Sequence, residues 1–189
     1  MEYSSEKELK EHWTSHNKQI IDLRDFYNDI VPKDFEVYIN QDNDSIIDFW
    51  VFEPCDTAHL NRIVWFQQWS INPFDYQEKS SPWDSSFLAP KTNNLDYILD
   101  TLNWNKNTFV EIREKLYSAG CNSIQNGEPT EIGFKFSGYG KYYYILFKNP
   151  LREDEIKHYN DSCTFRYYND TVVWGYRGGA IGPQCFPDK

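Results

Sequence analysis

The chain has 189 residues, is 40% hydrophobic and 18% aromatic, and carries a net charge of −10. That length and ring area suffice for one full core without disulfide or metal staples, and no stretch approaches the roughly 20 apolar residues of a membrane span. Residues 1–100 hold 19 acids against 8 bases and residues 101–189 hold 10 against 11, so the acidic first half argues against nucleic acid and anionic membranes as partners and suits a basic one.

In chain order, the opening MEYSSEKELKEHW is charged throughout. It lacks the positive region and apolar run of a signal peptide, which makes the cytoplasm the expected compartment. Ser5-Glu6-Lys7-Glu8 fits a capping box. Leu9, Trp13, Ile20, Leu23, Tyr27 and Ile30 then recur at helical steps as far as Pro32, predicting a helix over 5–31 with one apolar stripe.

Three extended segments follow. DFEVYIN alternates Phe35, Val37 and Ile39 with polar residues, QDND is a turn, and SIIDFWVFE and NRIVWFQQWSI complete an antiparallel meander, with Ile63, Trp65 and Trp69 as inward candidates. Residues 72–94 break all periodicity and carry Phe74, Tyr76, Trp83, Phe87 and Leu88. A loop of that length is commonly functional, and its rings either pin it to the body or meet a partner. NLDYILDTLN reads as one short helix and TFVEIREKLYSAG as another, opened by a Thr108–Glu111 capping box and closed by Gly120. Four strands end the chain: EIGFKFS and KYYYILF as a hairpin about GYG, then CTFRYY and TVVWGYR about an Asn169-Asp170 turn. Between the hairpins, NPLREDEIKHYND reads as a polar connection.

The cysteines Cys55, Cys121, Cys163 and Cys185 stand far apart with no C-x-x-C pair. They read as buried small hydrophobes rather than a disulfide framework. Asp42, Asp44 and Glu53 occupy positions 1, 3 and 12 of a calcium-loop pattern, but Ile46 and Ile47 stand where a ligand and the turn glycine belong. His12 and His16 share a helix face without the intervening Glu of a metalloprotease or a third ligand, so a surface pair is expected. His158 and Cys163 have no orienting third group. The adjacent Tyr142, Tyr143 and Tyr144 point alternately to the two faces of a strand and read as core packing. The terminal GYRGGAIGPQCFP is rich in glycine, yet Pro183 and the chain end leave no room for the helix of a phosphate cradle. A tight terminal turn with Phe186 as a plug is the better reading.

Gly120–Phe147, Val172–Phe186 and the stretch LDYILDTLNW resemble small cytoplasmic bacterial proteins of the immunity type, the cognate inhibitors of secreted polymorphic toxins. The resemblance implies a protein partner and carries no catalytic motif. The expected fold is α+β, one domain over 1–189, with an antiparallel sheet of six to seven strands and the N-terminal and two central helices packed on one side. The expected function is occlusion of a basic toxin site, with Asp42, Asp44, Asp48 and Asp56 supplying charge and Tyr76 and Trp83 supplying aromatic anchors. No cofactor, metal or catalytic residue is expected, and oligomeric state is left open. The alternative is a small-ligand binder or enzyme that uses the aromatic sheet face and the 72–94 loop.

Overall fold

The structure, a computed structural model, describes residues 5–41, 46–52, 67–72, 95–137, 140–178 and 185–187. Helix α1 runs Glu6–Ile30 and is capped by Ser5, whose Oγ accepts from Glu8 N at 3.2 Å. It ends at Val31, which is extended because a residue before proline avoids the helical region. Its buried stripe is Leu9, Trp13, Ile20, Leu23 and Tyr27. Helix α2 spans Leu95–Leu102 and α3 spans Lys106–Ser118. The α3 cap is Asn105, which accepts from Asn107 N and Thr108 N, rather than the expected Thr108–Glu111 pair. At its C-terminus Gly120 adopts φ +61°, Gly120 N bonds Tyr117 O and Cys121 N bonds Leu116 O. This is the doubly bonded close that glycine permits.

Among the described residues eight strands form one antiparallel sheet: β1 Glu36–Asn40, β2 Ile47–Phe52, β3 Gln67–Ile71, β4 Ser123–Gln125, β5 Thr130–Ser137, β6 Gly140–Leu146, β7 Phe165–Asn169 and β8 Val172–Gly178. Their order is β3-β2-β1-β4-β5-β6-β8-β7, so the two chain halves join where β1 pairs β4. The expected α+β architecture holds. The extra strand is β4, whose three residues contain a single apolar side chain, too few to give a period. Expected inward positions Ile63 and Trp65 lie outside the described residues, and Trp69 takes the register position opposite Phe49.

One face of the sheet buries Val37, Ile39, Phe49, Ile124, Ile132, Tyr142, Tyr144 and Trp174 against α1, α2 and α3 in one continuous core. Tyr27 donates to Val37 O at 3.1 Å and Tyr144 donates to Leu9 O at 3.1 Å, so these two buried hydroxyls are satisfied by backbone. On the other face a second cluster of Tyr143, Ile145, Phe147, Leu151 and Val173 lies beneath Ile156 and Tyr159. Ile156 belongs to a short helix, α4, at Glu153–His158, which sequence reading leaves as a polar connection because six residues show no apolar stripe.

Two further expectations need correction. The β7–β8 connection closes on Asp170 and Thr171, with Asn169 paired to Val172 and its Oδ1 accepting from Thr171 N at 3.0 Å. None of these residues has positive φ, so the side chain holds this turn rather than left-handed backbone. Cys163 and Cys185 form a disulfide, against the reading of separated thiols. The tail folds back onto the start of β7, a long-range placement that spacing does not encode. A disulfide belongs to oxidising surroundings, so cysteine usage gives no support to a reducing compartment. Cys121 is free and buried, as expected of a small hydrophobe. Among the described residues no helix is long and apolar enough to cross a membrane.

Candidate functional site

The face opposite α1, α2 and α3 divides in two. Pairing aligns one cross-strand row through all eight strands: Ser70, Asp48, Asn40, Ser123, Gly133, Tyr143, Gly175 and Phe165. Its β6–β8–β7 end is apolar and covered by the second cluster. Its β3–β2–β1–β4 end is polar. There Ser70 Oγ donates to Asp48, and Gln125 Nε2 donates to Glu36. Tyr38 and Trp50, half-buried neighbours on the adjacent row, pack with ring centroids 5.0 Å apart.

Lys141 joins the two ends. It reaches from β6 across Gly133, where a β-carbon would collide with Ser123 Oγ and Lys141 Cε. Its Nζ donates to Ser123 Oγ at 2.7 Å and to Asn40 Oδ1 at 3.1 Å, and stands 4.9 Å from the Phe136 ring centroid. Ser123 and Asn40 are 3% and 7% exposed. A serine within 2.7 Å of a lysine has the reach of a nucleophile–base pair. A reacting serine also needs open space before its Oγ, and a 3% exposed residue does not offer it. The nest ties β1, β4 and β6 together across a glycine. Sequence reasoning missed it; the available signal was a lysine breaking an otherwise aromatic strand beside a glycine turn.

Apart from the Lys141 ammonium that reaches Asn40 on this face, the charge of the β1–β2 segment is one-sided. Residues 34–56 contain seven acidic residues and no Lys or Arg. Of these Asp34 is exposed just before β1, and Glu36 and Asp48 lie half-buried on the polar face. The expected residue Asp48 is therefore placed on this face, hydrogen-bonded by Ser70 from the edge strand β3. Asp42, Asp44 and Asp56, together with Tyr76 and Trp83 of the 72–94 loop, lie outside the described residues. Farther along, Arg177 pairs with Glu131 at 2.6 Å and stacks 4.7 Å over Tyr143.

On the helical side a cleft of about 350 Å³ opens between α1 and β5, lined by Glu8, Glu11, His12, His16, Phe134 and Lys135, with Gly120 behind. His12 and His16 are not a simple surface pair. Their rings stack at 4.5 Å, and His12 also stacks on Phe134 at 4.3 Å. His12 Nδ1 lies 2.7 Å from Tyr144 Oη, while Nε2 is buried against Gly120 without a partner. Burial, then the neighbouring His16 and Lys135, push the His12 pKa down to about 4, so the ring is neutral at pH 7. Among the described residues no group of three His, Cys, Asp or Glu side chains is placed to hold a metal ion. His158 packs on Tyr159 and Phe165 rather than on the disulfide.

No family model, curated protein or solved structure matches this chain.

Proposed function

We propose that this protein is a binding inhibitor of the immunity type, which docks a basic partner surface against the β1–β2 end of its sheet and blocks that surface sterically. The observation that carries the reading is the run of seven acids without a base over residues 34–56, of which Glu36 and Asp48 stand on the paired strands β1 and β2. Clustered charge of one sign speeds encounter with the opposite sign and rejects like-charged competitors. Tyr38 and Trp50 beside it supply rigid apolar area of the kind that anchors interfaces. The reading also counts Asp42, Asp44 and Asp56 for charge and Tyr76 and Trp83 as aromatic anchors, all outside the described residues. The partner is a toxin domain with a basic active cleft.

The test is co-purification with the product of the gene next to this one, followed by rescue of cells that express that product. A stable complex together with rescue supports the reading. Failure of both rejects it.

A further inference from the structure

Among the described residues, three contacts hold residues 185–187 to the body at one point. Cys185 is bonded to Cys163, just ahead of β7. Phe186 N donates to Cys163 O at 2.9 Å. The Phe186 ring is 1% exposed, packed on Tyr142 at 5.6 Å and Tyr176 at 5.9 Å and covered by the Arg166 guanidinium at 4.8 Å. Cys185 itself is exposed and Cys163 half-exposed, so the bridge stands at the surface while the ring it positions is in the core. Cys163 is fixed from below, since its N–H donates to Asp161 Oδ1 at 2.8 Å, and Asp161 also accepts from Phe165 N at 2.9 Å. One partner of the disulfide is thus set in a rigid turn, and the other sits in the terminal tail.

We infer that the Cys163–Cys185 bridge is a reducible latch that keeps Phe186 inserted in the core, and that a dithiol reductant converts the tail from locked to exchanging. The inference does not depend on the proposed partner. In the reducing step a thiolate of the dithiol attacks one sulfur, the Cys163–Cys185 bond breaks, and the departing sulfur leaves as a thiolate that takes up a proton. The second thiolate of the reductant then displaces the mixed disulfide. Two electrons pass from the dithiol, which leaves as a cyclic disulfide, and the protein gains two thiols. With the bridge gone, the ring and one backbone hydrogen bond are what hold residues 185–187 among the described residues. A segment held so lightly opens locally at low cost. Opening uncovers the wall formed by Tyr142, Tyr176 and Arg166.

Hydrogen exchange of the full chain tests this, with and without dithiothreitol. Oxidised protein denatured in maleimide should label two fewer thiols than reduced protein. On reduction, protection of the Phe186 amide should fall about tenfold or more while that of Ile132 in β5 stays unchanged. A Cys163→Ser/Cys185→Ser variant should show the low Phe186 protection with or without reductant. Equal thiol counts, or equal Phe186 protection before and after reduction, would overturn the latch. So would a parallel loss at Ile132, which would make the bridge a staple of the whole fold. If the double variant does not fold, the wild-type comparison alone decides.

Discussion

The hydroxyl end of the Tyr143 ring lies over Gly175, so close that a β-carbon at position 175 would overlap it. The two are paired neighbours on β6 and β8, and the ring fills the volume that the glycine leaves. Gly175 has ordinary extended backbone, so the requirement for glycine here is steric and not conformational. Gly175→Val should therefore cost about 1–3 kcal/mol through overpacking, read as a lowered urea midpoint. In the Gly175→Ala/Tyr143→Ala pair the two costs should be less than additive, because removing the ring removes the clash. Additive costs would show that the contact is not the cause.

Much of the fold could be read from such local patterns, and the failures have physical causes. The α1 stripe from Leu9 to Tyr27, the β1–β2–β3 meander and the Phe186 plug all follow from period, turn chemistry and a terminal aromatic. The β4 strand and α4 escaped because each is shorter than the window in which a period shows. The Cys163–Cys185 bridge and the Lys141 nest escaped because each is made by residues 22 and 101 positions apart at the extremes. Of the expected site residues only Asp48 could be placed. Its charge alone marks it in the sequence, and the structure puts it on the polar face through a strand register no single strand reveals.

Lys141 links three strands through two nearly buried acceptors. Lys141→Met keeps the stem and removes the donor, leaving Asn40 Oδ1 and Ser123 Oγ without it. The expected loss is about 1–3 kcal/mol, measured by chemical denaturation. If stability is unchanged, the nest carries no structural weight.

Gly120 closes α3 at φ +61° and has His12 Nε2 directly over its missing side chain. Gly120→Ala meets both strain and collision, and should cost more than the ~1 kcal/mol of a left-handed position alone. His12→Ala in the same background should recover part of that cost in thermal melts.

His12 also gives the fold a pH dependence of definite sign. In the unfolded chain an imidazole titrates near 6.5, and here it titrates at about 4. Between those values the unfolded chain binds more protons, so stability falls as the pH drops through that window and is unaffected by this group above it. Glu8, Glu11, His16 and Lys135 surround the ring, and its half-exposed position screens the effect, leaving about 1–2 kcal/mol. The free energy of His12→Gln relative to the parent, followed from pH 7 to pH 4, should rise by that amount. A flat difference would refute the shift.

The central claim is that the acid-rich β1–β2 end is what a basic partner meets. The most direct measurement is the association rate constant of the neighbouring gene's product with the parent and with Glu36→Lys/Asp48→Lys, across an ionic-strength series. The account predicts a rate that falls steeply with salt for the parent, and a variant that folds normally but associates at least about tenfold more slowly at low salt. Equal rates for the two proteins, with no salt dependence in either, would contradict it.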